Sequence, residues 1–200
     1  MPQRRGRTAI SDGLLLLGAP GSGKSTLASL AATALGLPRL ELDDYLFDDA
    51  SRHDIEDRSF SDDQIDHAAE ALLRDVAGRP VICELAHHDN VVLQRFVQSF
   101  HGGDDAARRR PLVLSADEST CLLRNSRRRL PVPAAYVTRC VAAIDALLQD
   151  LAPTAVRMAD STKQTADEIL RTCVLDSALE HPPPGRTHRP EAGSTWSDRD

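Results

Sequence analysis

The stretch Gly18-Ala19-Pro20-Gly21-Ser22-Gly23-Lys24-Ser25-Thr26 satisfies G-x-x-x-x-G-K-[ST] at every position. An apolar run, Leu14–Leu17, enters it, and an alanine- and leucine-rich helical pattern, Ser25–Leu35, leaves it and ends at Gly36. Few folds begin with strand, glycine-rich loop and helix in that order. The glycines let the backbone curl until successive N–H groups converge on phosphate oxygens. The helix N-terminus adds its partial positive charge. In this chemistry Lys24 reaches the β- and γ-phosphates and the Ser25 hydroxyl ligates Mg²⁺. Gly18 to Thr26 are therefore the candidate nucleotide-binding residues, and ATP and Mg²⁺ the expected cofactors.

Short apolar runs and helical patterns alternate beyond the loop. Strands are expected at Thr8–Leu17, Arg39–Leu42, Val81–Leu85, Pro111–Leu114 and Ala155–Ala159. Helices are expected from Ser61, with Gln64 completing a capping box, to about Ala77 and Gly78, and over Asn90–Phe100, Glu118–Asn125 and Ala134–Leu151. Thr165 and Glu168 cap a last helix reaching about Leu179. The alternation predicts a three-layer α/β domain, a parallel sheet with helices on both faces. Ligands of such sheets bind at the carboxyl ends of the strands. Residues 1–8 and 181–200 read as disordered tails, basic and proline-rich respectively, around a domain at 9–180.

Two carboxylates, Asp43 and Asp44, stand where the second strand ends, followed by Tyr45. A carboxylate there can accept the proton of an attacking hydroxyl. Glu84 closes the third strand and suits either the Mg²⁺ shell or the same base role. The base assignment is open between Asp43, Asp44 and Glu84. His87 and His88 follow in a strand-to-helix loop and are candidate substrate-lining residues. The acceptor pocket is expected between Tyr45 and Phe60 and in the loop from Leu85 to Asn90. Arg124-Asn125-Ser126-Arg127-Arg128-Arg129, with Pro131 and Pro133, reads as a helix end running into a mobile lid at about 124–133. Arg124 and Arg128, four apart on one helix face, would balance charge on the transferring phosphoryl group.

Charge divides along the chain. Glu41 to Asp75 holds 13 acidic residues and three arginines, whereas Arg108 to Arg139 holds eight arginines and two acids. The net charge of −6 excludes a globally basic nucleic-acid binder. Leu14–Leu17 is too short to cross a bilayer, and four widely spaced cysteines form no C-x-x-C pair, so a cytoplasmic protein without zinc or disulfides is expected. The chain has no N-K-x-D base-reading motif and no L-S-G-G-Q, and is too small for a ring ATPase with its lid domain.

G-A-P-G-S-G-K-S-T, then L-D-D-Y, then R-N-S-R-R-R-L-P-V-P, resembles the P-loop kinases related to the 5′-kinase domain of phage polynucleotide kinase. That group also includes zeta-type toxins, gluconate kinases and chloramphenicol phosphotransferases. The resemblance spans roughly Ile10 to Leu179. It implies a five-stranded parallel sheet of order 2-3-1-4-5 and a small arginine-rich lid. It implies Asp43 as general base, Lys24 and Ser25 at phosphate and Mg²⁺, and Arg124 and Arg128 as lid arginines. Ser161 and Thr162 fall where related kinases line the adenine. In one respect the chain departs: polynucleotide kinases carry an arginine just after D-D-Y, and here Leu46 stands there, followed by Phe47-Asp48-Asp49. An apolar and acidic entrance suits a polyanion poorly. The expected activity is ATP- and Mg²⁺-dependent phosphoryl transfer to a hydroxyl of a small molecule. The alternatives are a polynucleotide 5′-hydroxyl kinase and an ATP-dependent switch that binds a protein partner. Oligomeric state is not readable from the sequence.

Overall fold

The strand Leu14–Leu17 (β1) is apolar at every position because it is covered on both faces. Around it the computed structural model describes residues 13–46, 60–77, 79–101, 111–152 and 155–176. Both expected tails, residues 8–12 of the expected first strand, Gly78 and the end of the last helix lie outside them. Arg39–Glu41 (β2), Ile82–Leu85 (β3), Leu112–Ser115 (β4) and Arg157–Asp160 (β5) complete a five-stranded sheet. Its order is β2-β3-β1-β4-β5 and every pairing is parallel, as the resemblance implies.

Side chains along a strand alternate between the faces. Leu14, Leu16, Ile82, Leu112 and Leu114 face one way, onto Leu27, Ala28 and Ala31 of Lys24–Leu35 (α1) and onto Ile169 of Ala166–Ile169 (α7). Leu15, Leu17, Cys83, Leu85 and Val113 face the other way. They meet Leu72 of Asp62–Val76 (α3), Phe96 of Asn90–His101 (α4) and Leu147 of Ala134–Asp150 (α6). Two further helices are short: Asp43–Leu46 (α2) and Glu118–Ser126 (α5).

The start signals read from the sequence are made. Ser61 Oγ accepts from Gln64 N–H at 3.3 Å while Gln64 Oε1 accepts from Ser61 N–H at 2.9 Å. Thr165 and Glu168 close the same box on α7. Beyond Ile169 the last helix departs from the expected α-form and is π-helical over Leu170–Leu175. The Arg157 guanidinium reaches the Cys173 carbonyl there, and Leu170 and Val174 remain in the core. None of the four cysteines is in a disulfide. Among the described residues no helix is long and apolar enough to cross a membrane.

The arginine segment after α5 is held at its base by one buried side chain. Asn125 Nδ2 donates to the Val132 carbonyl at 2.8 Å, and Asn125 Oδ1 accepts from Val132 N–H at 3.2 Å. The amide thus pairs with both backbone groups of Val132, as a neighbouring strand would. Asn125→Ala leaves both unpaired in a buried place, at a cost of about 1–3 kcal/mol. A melting temperature lower by about 2–4 °C per kcal/mol is expected, read by calorimetry.

Candidate functional site

Every candidate residue stands at the carboxyl edge of the sheet, because each parallel strand delivers its following loop there. Gly18–Gly23 follows β1, Asp43 follows β2, Glu84 lies near the end of β3, Arg124 is on the helix after β4, and Ser161 follows β5.

The phosphate loop has the conformation its sequence demands. Gly21 and Gly23 have φ of +88° and +92°, which residues with a side chain rarely adopt. A Cβ at Gly21 would also collide with the Cys121 carbonyl, and one at Gly18 would sit 2.6 Å from Ser22 Oγ and 2.7 Å from the Leu114 carbonyl. Lys24 is buried, and its Nζ donates to the Ala19 carbonyl at 3.0 Å. Burial lowers its pKa below the ordinary lysine value, opposed by the Glu84 carboxylate and reinforced by the nearby Arg128. Ser22 Oγ is buried and has no hydrogen-bond partner among the described residues. A buried cation with one neutral acceptor, an orphan hydroxyl and a cradle closed to Cβ atoms together fit a bound polyphosphate.

Beside the loop lies a chain of oxygen groups. Ser25 Oγ donates to Glu84 Oε2 at 2.8 Å, and the Arg39 guanidinium takes the other Glu84 oxygen. Arg39 Nη2 also donates to Glu41 Oε2 at 2.6 Å. Register explains the cluster: Glu41 and Glu84 are side-by-side partners across β2 and β3, and Arg39 is two residues earlier on the same face. Partial burial, with Glu84 alongside, raises the pKa of Glu41 to about 7 despite Arg39. Among the described residues no group of three or more His, Cys, Asp or Glu forms a metal cage. The hard oxygens of Ser25 and Glu84 suit Mg²⁺, which takes one or two protein oxygens and completes its shell with waters and phosphate.

The two aspartates after β2 face different tasks. Asp44 turns back, and its Oδ2 accepts from Glu41 N–H at 3.0 Å, which fixes the turn into α2. Asp43 lines a cavity of about 250 Å³ between α2, α3 and the start of α6, walled largely by Leu46, Phe60, Ile65, Pro133 and Tyr136. Its charge reaches both Glu41 and Tyr136. Asp43 thus opens α2 just after the carboxyl end of β2, on the edge of the sheet that carries the phosphate loop, and lines this cavity. Tyr45, a candidate substrate contact, is not part of the lining; its hydroxyl donates to Asp75 Oδ2 at 2.7 Å.

The loop after β3 also differs from expectation. His87 is wholly buried and does not line this cavity. Its Nδ1 accepts from Asp89 N–H at 3.1 Å, which leaves the proton on Nε2, 3.1 Å from Asp66 Oδ1. Burial, then the stacked His88 ring at 4.7 Å, lowers the His87 pKa. Tyr136 covers the loop: its hydroxyl donates to the Ala86 carbonyl, and His88 meets its ring edge-on at 5.8 Å. An interior strand end is roofed by helices, so His87 packs inward, and no residue of the 85–90 loop lines the 250 Å³ cavity.

The arginines divide. Arg124 Nη1 donates to Ser161 Oγ at 3.1 Å and to the Gly21 carbonyl at 3.4 Å, and its Nη2 donates to the Ser161 carbonyl at 3.0 Å. It ties the phosphate loop to the turn after β5. Arg124, Ser161 and Thr162 line a cavity of about 450 Å³ with Ser22, Gly23 and Thr26. Arg128 does not share a helix face with Arg124, because α5 ends at Ser126 and the Asn125–Val132 pairing turns the chain. Its charge nonetheless reaches Lys24.

Sequence reasoning passed over Arg39, Glu41, Asn125, Asp62 and Arg139. Arg39 and Glu41 share a strand face with Glu84, a signal that required the register. Arg139 and Asp62 pair directly in the cavity lining from elements far apart in the chain, and nothing in the sequence joins them.

Strand order and loop geometry define a P-loop α/β domain with the fold of the P-loop kinases. The chain belongs to the AAA domain family, whose model matches residues 14–154. Solved structures share the fold. A gluconokinase from Sinorhizobium meliloti 1021 is 21% identical, with 86% of this chain and 93% of that chain covered and a TM-score of 0.61. Shikimate kinase from Acinetobacter baumannii, in complex with shikimate, is 15% identical over 86% of this chain and 95% of that one, with a TM-score of 0.59. A chain of the Pnkp1/Rnl/Hen1 RNA repair complex is 16% identical over 76% of this chain and 49% of that one, with a TM-score of 0.53. No curated protein sequence matches the chain.

Proposed function

We propose that this protein transfers the γ-phosphoryl group of ATP to a hydroxyl of a small-molecule acceptor. The observation that supports the reading is the position of Asp43, just after the carboxyl end of β2 and in the lining of a largely apolar cavity of about 250 Å³. The cavity that includes Ser161 and Thr162 takes the nucleoside, with Arg124 on its wall. The loop amides, Lys24 and Arg128 hold the β- and γ-phosphates. Ser25 and Glu84 hold Mg²⁺, which when bound neutralises phosphate charge. Asp43 orients the acceptor hydroxyl and takes its proton as the new P–O bond forms. The bond between the γ-phosphorus and the β–γ bridging oxygen breaks, and ADP leaves. Movement of residues 127–131 about the Asn125 clasp, as a lid, excludes water during transfer.

Glu84→Gln weakens the hold on the metal side without emptying the loop. The Mg²⁺ concentration needed for nucleotide binding is expected to rise about 10- to 100-fold, measured by calorimetric titration at several Mg²⁺ concentrations. The function itself is tested by following ATP consumption over alcohols, nucleosides, aminoglycosides, amino acids and 5′-hydroxyl oligonucleotides. Acceptor-dependent ADP release with a small alcohol supports the proposal. Labelling of oligonucleotide ends instead, weakening steeply with salt, would replace it with the polynucleotide reading.

A further inference from the structure

We infer that Asp62 is a specificity-determining residue that fits the acceptor cavity to a compact alcohol with an apolar body and no anionic group. The inference rests on reading that cavity as the acceptor site. Its walls are mostly apolar, and its charged lining groups are Asp43, Asp62 and Arg139. Arg139 is the one cation among the described lining residues. A guanidinium in an apolar-walled pocket is a ready receptor for carboxylate or phosphate, which it grips through two parallel N–H bonds.

Here that grip is taken. Arg139 Nη1 donates to Asp62 Oδ2 at 3.0 Å and Nη2 to Asp62 Oδ1 at 2.6 Å. Asp62 is well placed to hold it. It is the first residue of α3, where the helix N-terminus favours a carboxylate, and His88 Nε2 is 3.7 Å from it. The hydrogen bond from Arg139 keeps its carboxyl below the ordinary aspartate range. With side chains 45% and 55% exposed, the pair adds little to stability. Its consequence is the charge an acceptor meets. An anionic acceptor must compete with Asp62 for Arg139 and sit among two carboxylates in largely apolar surroundings. An uncharged alcohol needs neither: it offers its hydroxyl to Asp43 and its body to Phe60, Pro133 and Tyr136.

The test uses three near-isosteric probes: 4-methylbenzyl alcohol, 4-(hydroxymethyl)benzoate and 4-(aminomethyl)benzyl alcohol. Binding to the full chain is read by saturation-transfer NMR, without nucleotide. The benzoate is expected to bind wild type at least about tenfold more weakly than the methyl probe, since like charges brought together at a binding surface cost several kcal/mol. In Asp62→Asn, Arg139 is released, and the benzoate should gain at least about tenfold while the methyl probe changes less than about twofold. Arg139→Gln gives a second reading should Asp62→Asn fold poorly: the benzoate stays weak and the ammonium probe gains. Equal binding of benzoate and methyl probe to wild type overturns the inference. So does an unchanged ratio in a folded Asp62→Asn, a benzoate gain in Arg139→Gln, or binding of no probe at all. None of these outcomes depends on phosphoryl transfer, so failure of the kinase reading would show separately, as an acceptor screen in which no alcohol consumes ATP.

Discussion

Lys24→Ala is expected to lower turnover by at least about 10²–10³, the usual loss when one contact to a transferring group is removed. The argument starts from burial. Lys24 lies almost wholly inside the protein with the Ala19 carbonyl its one acceptor among the described residues, and burial pushes its pKa down. A buried cation so weakly paired is costly, and a phosphate offers the compensating charge. Its alanine variant loses that charge where solvent cannot replace it. The fold should survive, since the side chain's single bond is to a loop carbonyl. Circular dichroism and single-turnover phosphoryl transfer, once the acceptor is in hand, check both halves. A variant folded like wild type that transfers at near wild-type rate would remove Lys24 from the mechanism.

Asp43→Asn is expected to keep ATP affinity within about threefold while lowering transfer by about 10²–10⁴, the range ascribed to a positioned general base. Asparagine keeps the shape and loses the ability to take a proton. Asp43 lies on the cavity side, away from the 450 Å³ cavity attributed to the nucleoside, so nucleotide binding should be spared. Asp44→Asn is the control, because Asp44 accepts from Glu41 N–H and an amide oxygen can do the same. Calorimetric ATP titration and single-turnover rates separate the outcomes. Equal losses in the two variants would mean that the shape of the α2 turn, not a base at position 43, is what transfer requires.

The phosphate loop and sheet were legible because both depend on local chemistry. Four consecutive leucines mark a strand buried on two faces, and glycine at positions 21 and 23 marks a backbone that other residues resist. The caps at Ser61 and Thr165 were legible for the same reason. The acceptor side was less so. Asp43 and Asp44 are neighbours of one chemical type, and only the turn into α2 separates their tasks. His87 and Tyr45 looked available beside the site, yet Asp66, Asp89 and Asp75 partner them where the helices pack over the sheet. Helical spacing puts Arg128 on the Arg124 face, but that spacing stops applying once α5 ends at Ser126. Spacing along a chain predicts neighbours within one element. It carries nothing about which elements the fold brings face to face.

The two faces of the sheet have a consequence for how such a protein can change over generations. The 450 Å³ cavity draws on the phosphate loop, α1, β4, Arg124 of α5, the turn after β5 and α7, and its apolar lining residues Leu27, Leu114 and Ile169 belong to one core cluster. The 250 Å³ cavity draws on α2, α3 and α6, beside a second core cluster, and the two linings share no residue. Substitutions that reshape the second cavity repack a core cluster that the first does not touch. Such a molecule is free to drift among acceptors while its hold on nucleotide is inherited intact, and novelty accumulates on one side of a wall of leucines.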